Sequence, residues 1–116
     1  MKSFLFPKTE RLVNRKDFVN LNRFGTRYHT KHFTIILKEN GLDLSRLGIT
    51  VSKKIGNAVK RNKVKRLIRE FFRLHKNYFP KGYDIVTVAN KGAHGLIFRE
   101  IKEELGGIIL GKKPLL

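Results

Sequence analysis

Between residues 53 and 76 the chain reads KKIGNAVKRNKVKRLIREFFRLHK, and few arrangements can accommodate this segment. Ten of its 24 positions are Lys or Arg and Glu70 is its single acid, so it carries +9 of the chain's +17. The apolar residues are ordered among these charges. Val64, Leu67, Ile68, Phe71, Phe72 and His75 fall at helical spacing and share one face. Arg61, Lys65, Arg69 and Arg73 recur every four residues and make one cationic ridge on the same helix. One face therefore needs a core to cover it, while the other needs water or a counter-charge. A merely solubilising face interleaves Glu with Lys. A face with one Glu implies a polyanionic partner: nucleic acid first, an anionic membrane second, an acidic protein third.

The rest of the chain is consistent with a single domain over residues 1–116. At 41% apolar with nine Phe, it can bury a modest core and is not disordered. It has no Cys, which excludes a disulfide framework, a Cys-based zinc site and a thiol nucleophile. The apolar FLF near the N-terminus is too short for a signal peptide, and no run reaches membrane-spanning length. The expectation is a soluble, cytoplasmic protein with no membrane partner.

Residues 1–13 read as extended, with Pro7 preventing an early helix. NRKDFVNLNRFG reads as a short helix capped by Asn14 and ended by Gly25, with Phe18, Leu21 and Phe24 on one side. HFTIILK, residues 32–38, has a strand pattern, and Asn40-Gly41 marks a turn. Leu47–Ser52 reads as a second strand or a continuation of the first. Asn57 caps a long helix over 58–76, and Pro80-Lys81-Gly82 closes that unit. Tyr83–Ala89 reads as a central apolar strand. A last helix is expected over 96–110, with Ile97 or Phe98, Ile101, Leu105, Ile108 and Ile109 inward and Gly106-Gly107 weakening it. One mixed sheet covered by helices on at least one face is the economical assembly.

The same reading argues against a catalytic or metal site built from protein groups. The acids Glu10, Asp17, Glu39, Asp43, Glu70, Asp84, Glu100, Glu103 and Glu104 are scattered, whereas a metal-dependent nuclease clusters its carboxylates. Glu103-Glu104 reads as a solvated helix edge. His29 and His32 at a strand entrance, and His75 on the apolar side of the basic helix, read as packing or RNA contacts rather than an acid/base pair.

For the basic helix, a step of four residues rises about 6 Å, near the phosphate spacing of an RNA strand. Arginines suit bidentate phosphate grips and base stacking, and Asn62 can bond a 2′-hydroxyl or a base edge. The preceding Lys53-Lys54-Ile55-Gly56-Asn57 brings two cations and exposed amides to the helix start, which suits an anion.

The run SKKIGNAVKRNKVKRLIRE, residues 52–70, closely resembles the signature of the protein subunit of bacterial ribonuclease P. Arg46-Leu47-Gly48 before it and the apolar strand after it agree with that family, and the resemblance covers most of residues 8–110. Lys63 departs from it by standing where the family often has Arg. The resemblance implies an α/β (α+β) sandwich: about four strands in a mixed sheet, three helices, and the basic helix in a left-handed β-α-β crossover. This topology is shared with a domain of a small-subunit ribosomal protein. The resemblance implies that Lys53, Lys54, Asn57, Lys60, Arg61, Asn62, Lys63, Lys65, Arg66, Arg69 and Arg73 bind the catalytic RNA subunit. A separate cleft between the first helix and the sheet would hold the 5′ leader of precursor tRNA. Phe18 and Phe33 would belong to it, with Asn22 and Ile36 at positions the family often fills with aromatics. Hydrolysis would fall to the RNA with Mg²⁺, none of it bound by the protein alone. The protein would join the RNA one to one, and could dimerise when free. The alternative expectation is a structural RNA-binding protein of the ribosomal type, which matches the charge and size but not residues 52–70.

Overall fold

The computed structural model describes residues 11–12, 14–75 and 81–109. The readings of residues 1–10, Val13, Lys76, Pro80 and Leu110 lie outside them. The elements, in order, are α1 (Arg15–Phe24), β1 (Thr26–His29), β2 (Phe33–Glu39), β3 (Arg46–Val51), α2 (Ala58–Leu74), β4 (Tyr83–Ala89) and α3 (Phe98–Ile109). Short 3₁₀ turns at Lys53–Ile55 and Ala93–Gly95 precede α2 and α3.

The strands form one mixed sheet in the order β1-β2-β4-β3. The pairings of β1 with β2 and of β2 with β4 are antiparallel, while β3 runs parallel to β4. A parallel neighbour cannot be reached by a hairpin, so the chain crosses over, and α2 is the crossover. The basic helix is therefore tied to the sheet at both ends.

Alternation along the strands divides the core in two. Phe33, Ile35, Leu37, Leu47, Ile85 and Ala89 face α2 and α3, where Val64, Ile68, Phe71, Phe72, Ile101, Leu105 and Ile108 meet them. On the opposite face Ile36 and Val86 pack with Leu12 and Leu21, and Phe18 and Val88 join them partly buried. The structure is thus helix, sheet, helix pair: the expected sandwich, with helices on both faces.

Both predicted N-caps form. The Asn14 side chain accepts from the Lys16 N–H at 2.8 Å, and the Asn57 side chain from the Lys60 N–H at 3.1 Å. Gly25 ends α1 as expected but for another reason. Its backbone is extended, and a Cβ there would lie 2.5 Å from the Ile36 methyl and 2.6 Å from the Leu21 carbonyl oxygen. A close approach to the sheet, not a left-handed turn, requires this glycine.

Several expectations change. β1, a strand of four mostly exposed residues, has too little apolar pattern to announce itself. Phe24 does not share the buried side of α1; it is 67% exposed, and Leu21 alone of that helix is fully buried. α3 begins at Phe98, which packs on the core, while Ile97 is left exposed. Glu104 is not a solvated edge, as described below.

Candidate nucleic-acid interface

α2 is the element with two opposed chemistries. Val64, Ile68, Phe71 and Phe72 are buried, so the helix is fixed in rotation about its axis. Asn62, Lys63, Arg66 and Arg69 are consequently exposed on the outward side, and Lys53, Lys54, Asn57 and Lys60 are exposed where the chain enters the helix. The predicted ridge is modified at both ends. Arg61 is half-buried, its Nε covered and without a hydrogen-bond partner among the described residues. Arg73 is bound by Glu70: its Nε donates to Oε1 at 3.0 Å and its Nη2 to Oε2. The charge available to a partner is therefore centred on Lys63, Arg66 and Arg69, flanked by Lys65, with the neutral Asn62 exposed among them. His75 is a helix end rather than a contact, its Nδ1 2.8 Å from the Phe71 carbonyl oxygen.

The face covered by α1 is uneven. Phe18 packs against Gly48 of β3, where a Cβ would come within 2.7 Å of two ring carbons. Leu21 covers Ile36 beside it. Beyond these the face opens onto Thr34 and Val88, half-buried, and Thr50, exposed. His29, exposed, faces Thr34 across the β1–β2 pair with Nδ1 to Oγ1 at 3.1 Å. Asn22, exposed on α1, accepts from the Arg27 guanidinium at its backbone oxygen, 3.0 Å, and at Oδ1, 3.4 Å.

Two residues assigned to the leader cleft are not available to it. Phe33 is fully buried against α2 and α3, on the opposite face from Phe18. Phe33 and Ile36 are three apart on one strand, and an odd separation puts side chains on opposite faces. Ile36 is on the α1 face but only 1% exposed, because Leu21 and the α1 backbone cover it. Phe18 and Asn22 belong to α1, on the open face of the sheet. Thr34, Thr50 and His29 share that face, which sequence reasoning missed because only strand register reveals it.

The two ends of the sheet differ in charge. At one, Asp84 accepts a bidentate grip from Arg46, Nε to Oδ1 at 2.8 Å and Nη2 to Oδ2 at 2.7 Å, and a bond from Asn40 Nδ2 at 3.0 Å. Arg46 Nη1 also lies 3.4 Å from Asp17. The hydrogen bond to Asp84, opposed by burial and aided by the charges of Asp84 and Asp17, raises the Arg46 pKa above its ordinary value. This guanidinium holds the place between two carboxylates that a metal ion would need, so they do not fit a metal. Among the described residues no three His, Cys, Asp or Glu side chains are grouped to hold one.

At the other end the tight turn Thr30–His32 meets α3. Glu104 Oε2 accepts from the Thr30 hydroxyl and, at 2.6 Å, from the His32 N–H; Oε1 is 2.9 Å from His32 Nδ1. Burial alone would raise the Glu104 pKa. The bonds from the Thr30 hydroxyl and from the His32 ring and N–H, with the charge of His32, outweigh it and hold the carboxyl below its ordinary 4.5.

Comparison with known proteins agrees with this architecture. The Ribonuclease P family model matches residues 6–112. The ribonuclease P protein component of Syntrophus aciditrophicus is 48% identical over 114 residues, covering 98% of this chain and 95% of that one. That of Desulforapulum autotrophicum is 44% identical over 106 residues, 91% of each. Among solved structures, the RNase P protein of Thermotoga maritima superposes with a TM-score of 0.81 at 37% identity, covering 90% of this chain and 98% of that one. A family model spanning nearly the whole chain, and relatives close to half identical, lead to one conclusion: the chain belongs to the ribonuclease P protein family.

Proposed function

We propose that the chain works as the protein component of a bacterial ribonuclease P, docking on its RNA subunit and assisting removal of the 5′ leader from precursor tRNA. The carrying observation is α2: an apolar face locked in the core and an outward face of Asn62, Lys63, Arg66 and Arg69. Such a face screens phosphate charge without taking part in bond breaking. Hydrolysis belongs, in this reading, to the RNA and the Mg²⁺ it holds. The leader runs over the open part of the α1 face, past Phe18 and Asn22. A ring at Phe18 offers a stacking surface worth about 1–3 kcal/mol per base. The setting is the cytoplasm, and one protein joins one RNA.

The test is reconstitution. The protein is mixed with a bacterial ribonuclease P RNA and precursor tRNA at low Mg²⁺, and cleavage is compared with RNA alone. Faster cleavage supports the reading, and no gain overturns it. Copurification with ribosomes in place of one structured RNA would favour the ribosomal-type alternative.

A further inference from the structure

Three strands end side by side at the basic end of the sheet. Phe33 of β2 and Val51 of β3 both pair with Ala89 of β4. The next residues are also joined: the Asn90 N–H donates to the His32 carbonyl oxygen at 2.9 Å, and the Ser52 N–H to the Ala89 carbonyl oxygen at 3.3 Å. One residue beyond this line stand Lys31, Lys91 and Lys53, all exposed. Neighbouring strands are about 4.8 Å apart, so the three backbones that carry these lysines span roughly 10 Å. They come from three separate parts of the sequence, and only the sheet order brings them together.

Four carboxylates, Asp17, Glu39, Asp43 and Asp84, lie at the opposite end of the sheet or in the loop beside it. Glu104 reaches the turn that carries Lys31, and among the described residues its carboxylate is held by neighbours of the lysine and not by a lysine. It is hydrogen-bonded to Thr30 and to His32, the two residues on either side of Lys31. Solvated lysines need no such clamp. Lysines that must meet a fixed set of phosphates do, because holding the turn beforehand removes the cost of ordering it on binding.

We propose that Lys31, Lys53 and Lys91 form one phosphate-binding row for RNA, continuous with the start of α2, and that Glu104 is the positioning residue that keeps Lys31 in it. The inference rests on the RNA-subunit reading above. It extends that surface from one helix to the end of the sheet, and it gives an acidic residue a favourable role in binding a polyanion.

This leads to an outcome opposite to simple charge counting. Glu104→Ala raises the net charge by one, and charge alone predicts tighter RNA binding. Clamping predicts weaker binding. The experiment measures affinity for a bacterial ribonuclease P RNA across a salt series, for the full chain and for Lys31→Ala, Lys91→Ala, Glu104→Ala and the Lys31→Ala/Glu104→Ala double variant, with thermal unfolding of each. Each lysine variant should weaken binding severalfold and make the log–log salt slope shallower by about one. Glu104→Ala should weaken binding as Lys31→Ala does, and the double variant no further. If Glu104→Ala fails to fold, Glu104→Gln replaces it, keeping one acceptor for the turn while losing the charge; it should bind more weakly than wild type. A folded Glu104 variant that binds as tightly as wild type or tighter overturns the clamp. Wild-type slopes in Lys31→Ala and Lys91→Ala overturn the row. A wild-type protein that binds no ribonuclease P RNA overturns the underlying reading instead.

Discussion

At the scale of single residues, contacts across the sheet matter more than residue type. Gly48 is a seat for Phe18, and a methyl there would strike the ring at 2.7 Å. Gly48→Ala should therefore destabilise the protein by about 1–3 kcal/mol, as overpacking does, and lift Phe18 from the sheet. A melting temperature equal to wild type would refute this. Phe18→Ala should leave mature tRNA binding nearly unchanged and weaken binding of tRNA that carries a leader; equal effects on both would deny it the cleft role. For Glu104 the direction with pH follows from its lowered pKa. A carboxyl held below its ordinary value adds stability that is complete above that value, near 4.5, and is lost as pH falls through the folded value. Thermal unfolding from about pH 6 down to about pH 3 should show wild type losing more stability than Glu104→Gln. Parallel acid limbs would contradict it. Legibility at this scale was mixed. Asn14 and Asn57 could be read as caps because capping is local. The clamp at Glu104 could not, since its partners are more than 70 positions away. Phe33 was misassigned through an error of parity that the sequence itself could have exposed, because residues three apart on a strand never share a face.

At the scale of elements, α2 was the most legible part of the chain. Its apolar spacing is set by its own geometry, and Val64, Ile68, Phe71 and Phe72 are buried as that spacing requires. Arg66→Ala and Arg69→Ala should weaken RNA binding while changing stability by about 0.5 kcal/mol or less, as surface substitutions do. Phe71→Ala should instead cost about 3–5 kcal/mol and abolish binding through loss of the fold. Circular dichroism melts beside RNA titrations separate the two classes, and unfolding of either Arg variant would mean that α2 is rotated from the orientation described. β1 was illegible because a short edge strand exposed along most of its length carries little hydrophobic alternation. The face under α1 was half legible: Phe18 and Asn22 could be placed on α1, whereas Thr34, Thr50 and His29 share its face of the sheet only through which strands are neighbours.

At the scale of the whole molecule, +17 on 116 residues sets the salt dependence. If about six phosphates are neutralised, the log–log slope of affinity against salt should be on the order of −4 to −5. A slope near zero would rule out phosphate contact as the basis of binding. The sign and size of the charge were readable from composition, but its distribution was not, because strand order decides which loops share an end. That distribution also bears on how the protein arrives at its partner. A sheet with lysines at one end and the acids around Arg46 at the other is a dipole as well as a cation. In the field of a polyanion such a particle is turned while still at a distance. Most collisions then begin with Lys31, Lys53, Lys91 and the first turn of α2 leading and the Asp43 loop trailing. Fewer encounters are wasted on the wrong orientation, and added salt should act mainly by slowing association.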